Sequence, residues 1–169
     1  TRNSDTADIL LRRLAVSDAA AAAFLRTDPI ARRLLEGRAG KLIQARSGAE
    51  GTLEELVARF PAQSPERFGT HFSRLKIWRI NGQLSASLEE APLEVQTRLA
   101  SGTIHSSLFA ATDAARIPDP VAIQLAEIFS TDIDFHRELR KGDTFSVVYE
   151  ALSADGELIN WNQATGRVL

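Results

Sequence analysis

The sequence predicts an α+β fold, and two stretches carry that prediction. Asn81-Gly82 separates Arg74–Ile80 from Gln83–Leu88, in which Leu84, Ala86 and Leu88 alternate with polar residues. Both positions of such a tight hairpin turn need a positive φ, which Asn and Gly tolerate. Further on, Val121, Leu125, Ile128 and Phe129 recur at helical spacing behind Asp119-Pro120, a pairing of cap and first-turn proline that starts helices.

The remaining elements follow in chain order. Ser4 or Asp5 can cap a helix whose Ala7, Leu10, Leu11 and Leu14 share one face. Ser17 can cap the next, SDAAAAAFLR. Asp28-Pro29 then opens the short helix IARRLLE, which Gly37 can end. Leu42–Arg46 reads as a strand. Thr52–Phe60 carries two conflicting signals. Leu53, Leu56, Val57 and Phe60 have helical spacing, and Thr52 with Glu55 could form a capping box, yet the turn-rich SGAEG before them suits a hairpin. The expectation is a strand paired with Leu42–Arg46.

Proline, glycine and polar residues cluster at Pro61–Thr70, which suggests a boundary between a domain at 1–65 and another at 66–169. After the Asn-Gly hairpin, Leu93, Val95, Thr97 and Leu99 alternate with Glu94, Gln96 and Arg98 in a half-buried strand. SSLFAATDAAR, capped by Ser106 and stopped at Ile117-Pro118, is a helix. The second helix, capped by Asp119, follows it. Phe145, Val147 and Tyr149 mark another strand, Ala154-Asp155-Gly156 turns it back, and Gly166–Leu169 opens a last one. The fold class is therefore a small helical N-terminal domain followed by an antiparallel-sheet domain with two packed helices.

With 169 residues, 44% hydrophobic and 25% charged, the chain has the composition of a globular protein. A net charge of −2 gives no general pull toward nucleic acid or an anionic membrane. Seventeen of the twenty basic residues are Arg, but they are scattered among acidic neighbours rather than grouped for phosphate. Cysteine is absent, so the chain has no disulfide, thiol nucleophile or Cys-based metal site. No apolar run has the length of a membrane span, and Thr1–Thr6 lacks the order of a signal peptide. Thr1 and Leu169 read as cuts rather than natural termini.

Few residues offer chemistry. In an extended segment Asp132, Asp134 and His136 would point the same way and could share a cation; the competing reading has Asp134 capping the turn FHRELRKGD. His105 beside Ser106 and Ser107 suggests a hydrolase, but adjacent residues rarely face each other as nucleophile and base must, and no orienting carboxylate is identifiable. His71 is isolated. Gly142-Asp143 reads as a turn entering a strand, without the glycines of a phosphate loop. Trp78 and Trp161 are candidates for glycan contact, because aromatic faces stack on sugar rings; packing in the core or at its rim is the alternative. No residue is assigned a catalytic, metal or cofactor role.

One resemblance adds to this reading. SGTI at Ser101–Ile104, SLF at Ser107–Phe109, IPD at Ile117–Asp119, the EIF and DIDF segments and GDTFSVVYE occur in order within Thr103–Glu150 and its flank. This run resembles the non-catalytic domain that precedes the zinc domain of bacterial lysostaphin-type (LytM-type) peptidoglycan endopeptidases. The helix–helix–strand front, with Asp5-Thr6 near its start, is similar to the LysM-like or opacity-associated-protein-like module of such enzymes; a helical subdomain without glycan affinity is the alternative. Those peptidases bind zinc through His-x-x-x-Asp and His-x-His. Here the fourth residues after His71, His105 and His136 are Leu75, Phe109 and Arg140, and no two histidines are one residue apart. The resemblance implies a regulatory or scaffold region in the periplasm or cell envelope, with its own downstream catalytic domain as partner and zinc held there. It also implies that the last strand continues beyond Leu169. Peptidoglycan is a further candidate partner, and the other function class is a wall-targeting module or a docking surface for a regulatory protein.

Overall fold

A computed structural model describes residues 6–37, 40–132, 139–159, 161 and 166–169. It is an α+β structure in two compact units, Thr1–Pro92 and Leu93–Leu169. The expected division at 65/66 is thus displaced to Pro92/Leu93. Pro61–Thr70 is a loop between two hydrogen-bonded neighbours, and a cut there would separate paired strands. Glu90 also pins it, accepting from the Gln63 amide (2.9 Å) and from Arg67 Nη1 (2.8 Å).

Unit 1 begins with α1 (Ala7–Arg13) and α2 (Ala19–Thr27), followed by a single 3₁₀ turn at Ala31–Leu34 where a helix IARRLLE was expected. Ser4 and Asp5 lie outside the described residues; Thr6 caps α1, its Oγ1 accepting from Ile9 N (3.4 Å). Asp18, not Ser17, caps α2, through the Ala21 amide at 3.0 Å. Four strands follow: β1 (Leu42–Ser47), β2 (Leu53–Pro61), β3 (His71–Ile80) and β4 (Gln83–Pro92). They form an antiparallel meander in the order β1-β2-β3-β4. Asn81 (φ 50°) and Gly82 (φ 78°) make the tight turn that their sequence predicts.

One face of this sheet packs on the helices. Leu53, Leu56, Ala58, Phe60, Leu75 and Ile77 join Leu10, Leu11, Leu25 and Leu34 in one core. Truncating such a buried Leu to Ala costs about 2–5 kcal/mol.

Thr52–Phe60 is a strand, and its helix-like spacing has a structural cause. The β1–β2 register shifts between Arg46↔Glu55 and Ser47↔Leu53, leaving Glu54 as an extra residue. Such a bulge reverses the side-chain alternation, so Leu53 and Leu56 both face the core although they are three apart. Thr52 forms no capping box; its hydroxyl donates to the Ala49 carbonyl at 3.1 Å.

Unit 2 is built on β5 (Glu94–Thr103) and β6 (Thr144–Ala154), paired antiparallel from Glu94↔Ser153 to Thr103↔Thr144 without a register shift. Helices α3 (Leu108–Ala114) and α4 (Asp119–Asp132) lie between them in sequence. The short β7 (Glu157–Leu158) and β8 (Arg167–Val168) also pair with β6. Ile104, Leu108, Ala111, Ile117, Val121 and Leu125 pack with Val147, Tyr149 and Ala151.

Ser107 caps α3 in place of Ser106, because its hydroxyl accepts from Ala110 N at 3.1 Å. Arg116 (φ 56°) turns the chain between the helices. Asp119 is the first residue of α4 rather than its cap, and the first amides bond to the Pro118 carbonyl. Of the expected stripe, Val121 and Leu125 are buried and Phe129 is partly so. Ile128 is 50% exposed, and Ala122 takes the buried position instead.

The SGTI and GDTF segments meet here. Gly102 sits opposite Phe145, and a Cβ on it would lie 2.7 Å from the ring and 3.3 Å from the Ala111 carbonyl. A strand residue overlain this closely by an aromatic ring has no room for a side chain.

Candidate functional site

Register assigns the residues of unit 1's sheet to two faces. The outer face, opposite the helices, carries the rows Arg46–Glu55–Trp78–Ser85, Gln44–Val57–Lys76–Ser87 and Leu42–Arg59–Arg74–Glu89. Trp78, half-buried, therefore stands between Glu55 and Ser85, with Lys76 two residues before it on the same face. Arg74 lies over the Phe72 ring (5.1 Å) and pairs with Glu89 (2.8 Å). Arg59 donates to Gln44 Oε1 (3.0 Å), and Arg46 pairs with Glu54 and Glu55.

Beneath the same strands, Asp18 and Arg79 organise the backbone. Pairing of β2 with β3 begins at Glu55, so Leu53 has no ladder partner on that side. Its amide donates to Asp18 Oδ2 (3.0 Å), and its carbonyl accepts from Arg79 Nε (3.0 Å). Arg79 also reaches Asp18 Oδ2 (2.6 Å) and the Gly82 carbonyl (3.0 Å). The Asp18 side chain is only 6% exposed. Burial alone would raise its pKa, but the Ala21 and Leu53 amides and the Arg79 charge together hold the carboxyl below its ordinary range. This pair fixes the turn end of the β3–β4 hairpin, and hence Trp78, against α2. Neither residue was foreseen as a partner of the other.

The other candidates are dispersed. His71 begins β3 and shares a 2.9 Å hydrogen bond with the Thr70 hydroxyl. His105 and Ser106 are exposed at the bend before α3, and the Ser107 hydroxyl is occupied as a cap. Asp143 accepts from Arg140 N at 2.8 Å, as a turn residue does. Asp132 ends α4; Asp134 and His136 lie outside the described residues, as does the turn that Asp134 was expected to cap. Trp161, in unit 2, is half-buried, and its Nε1 has no hydrogen-bond partner among the described residues. Among those residues no group of three or more His, Asp or Glu side chains could hold a metal ion, and no helix is long and apolar enough to cross a membrane.

No protein-family model matches the sequence, and no curated protein matches it. Solved structures similar to the chain include Helicobacter pylori Csd3 in its hexagonal crystal, with a TM-score of 0.48 at 14% identity over 99% of this chain and 42% of that one. A zinc-containing peptidase from Vibrio cholerae has a TM-score of 0.42 at 18% identity, over 99% of this chain and 48% of that one. The orthorhombic crystal of Csd3 has a TM-score of 0.42 at 15% identity, over 75% of this chain and 31% of that one. The chain spans less than half the length of each of these proteins.

Proposed function

We propose that this chain is the non-catalytic region of a LytM-type zinc endopeptidase of the bacterial cell envelope, packing on the catalytic domain and covering its cleft. The observation that carries the reading is the ordered run of motifs from Ser101 to Glu150. Each segment for which unit 2 supplies a local role has a packing one. Gly102 yields to Phe145, Ser107 caps α3, Ile117 enters the core, and Asp143 shapes the turn into β6. A run of residues specifying a packed unit rather than a reactive centre suits a scaffold.

Zinc belongs to the catalytic domain on this reading. Neither His-x-x-x-Asp nor His-x-His occurs in this chain, so its residues do not supply the zinc ligands of that family. No chemical step is therefore assigned to the chain itself.

The coding sequence past Leu169 tests the assignment: both zinc motifs are expected there, and a stop codon shortly after Leu169 would refute it. Cleft covering is tested by comparing wall hydrolysis by the intact protein with that by its catalytic domain alone. The isolated domain should be the faster, and equal rates would leave a scaffold that does not inhibit. A second reading, direct binding of wall glycan, is favoured by the position of Trp78 on the sheet face opposite the helices, where it is partly exposed.

A further inference from the structure

The outer face of the β1–β4 sheet carries side chains that the unit 1 core does not use. Down β3, Lys76 and Trp78 alternate with the buried Leu75 and Ile77, so both point away from the helices. Lys76 stands between Val57 and Ser87, and Trp78 between Glu55 and Ser85. The arginines of this face are matched: Arg46 with Glu54 and Glu55, Arg59 with Gln44, Arg74 with Glu89. The Lys76 ammonium makes no hydrogen bond or ion pair among the described residues. A half-buried indole, an unmatched cation and two serine hydroxyls thus share adjacent positions.

We propose that this face binds a carboxylate-bearing saccharide. A pyranose ring presents a face of C–H bonds, which the negative face of the indole attracts. Its rim hydroxyls meet the hydroxyls of Ser85 and Ser87 and the Glu55 carboxylate. Positions two apart on one strand lie about 7 Å from each other. That separation matches a ring stacked on Trp78 with a carboxylate substituent reaching Lys76. The unmatched ammonium calls for one negative charge, and an uncharged sugar would leave it unused.

Single-stranded nucleic acid, the other polymer with stacking rings and charge, fits less well. It requires successive open aromatic platforms and several free cations. Phe72, the other aromatic of this strand face, is buried, and the arginines are already engaged. That the saccharide is a wall glycan rests on the reading above; the demand for a ring face and a carboxylate rests on this sheet.

Calorimetric titration tests the site with four probes: a muramic-acid-containing tetrasaccharide without peptide, uncharged chitotetraose, an oligogalacturonate and a thymidine oligonucleotide. Trp78→Ala should weaken the muramic-acid tetrasaccharide by about tenfold or more. Lys76→Gln should weaken it about three- to fivefold, the range of an exposed ion pair, and leave chitotetraose unchanged. In the unmodified protein, the Trp78 indole N–H resonance should shift on titration while that of Trp161 does not, which tests the site even if Trp78→Ala fails to fold.

Binding of oligogalacturonate alone, with the same dependence on Trp78 and Lys76, would support the site and remove the wall assignment. No binding of either carboxylated saccharide would overturn the proposal. So would affinity indifferent to Trp78→Ala, or tighter binding of the oligonucleotide.

Discussion

Replacing Asp18 by Ala removes three interactions at once, and its cost can be worked out from them. The α2 cap through Ala21 contributes about 1 kcal/mol. The Leu53 amide, next to the strand's bulge, loses its acceptor, at about 1–3 kcal/mol if water does not replace it. Arg79 loses its carboxylate. A buried pair broken on one side costs about 3–5 kcal/mol, but the Arg79 side chain is 22% exposed and keeps the Leu53 and Gly82 carbonyls, so the penalty is well below that range.

These losses overlap, because they share one carboxylate, and the expected total is about 3 kcal/mol. Asp18→Asn preserves the capping oxygen and removes the charge, so it should cost about half as much. In a Trp161→Phe background the fluorescence of Trp78 reports unit 1 alone, and urea unfolding followed by that signal gives both values. Because the folded carboxyl titrates below its unfolded value, its stabilisation is complete above the unfolded pKa of about 3.9 and is lost as pH falls through the folded pKa. The slope of stability against pH below about 4 should therefore flatten in Asp18→Asn. A loss under about 1 kcal/mol for Asp18→Ala, or equal losses for the two variants, would refute the account.

Three further outcomes are expected. Gly102→Ala drives a methyl group to 2.7 Å from the Phe145 ring and should destabilise unit 2 by about 1–3 kcal/mol, with partial recovery when Phe145→Leu is added; thermal melts of the single and double variants check this. Ser73 is fully buried and its hydroxyl has no partner among the described residues, so Ser73→Ala should leave the urea midpoint unchanged or raise it, and a loss above about 1 kcal/mol would contradict that. Glu90→Gln weakens the acceptor of Gln63 and Arg67, and protease cleavage within Pro61–Thr70 should quicken while the thermal midpoint barely moves.

Local chemistry made most elements legible. Asn81-Gly82, the alternation along β6 and the IPD corner each express a rule that acts within a few residues. Along β5 the alternation named the wrong face: Val95 and Leu99 are 61% and 72% exposed, and Ala100 packs on the core instead, because that face is set by the pairing with β6 and by the helices. Caps were mislocated by one residue at Ser17 and Ser106, because neighbouring Ser and Asp side chains compete for the same role and only the backbone angle decides between them.

The domain boundary was misread for a different reason. Pro61–Thr70 has the composition of a linker, and its anchor, Glu90, is distant in sequence. Leu53 and Leu56 imitated a helix because a bulge adds a residue to the alternation, and no residue type announces a bulge. The Asp18–Arg79 pair was invisible for want of any pattern linking residues so far apart. The hairpin alone placed Trp78 on a strand opposite Ser85 or Ser87, and the register selects Ser85. That Lys76 beside it is unmatched emerged only once the arginines had found their partners.

The two sheets differ in how far apart their partners lie along the chain. Each strand of unit 1's meander pairs with its immediate successor, whereas β5 must wait for α3 and α4 before β6 exists to receive it. Closing the longer loop costs more entropy before any contact rewards it. Unit 1 also leaves the ribosome first. In pulsed hydrogen exchange during refolding, the amides of β3 and β4 should gain protection before those of β5, so that the face bearing Trp78 is assembled while unit 2 is still an open chain.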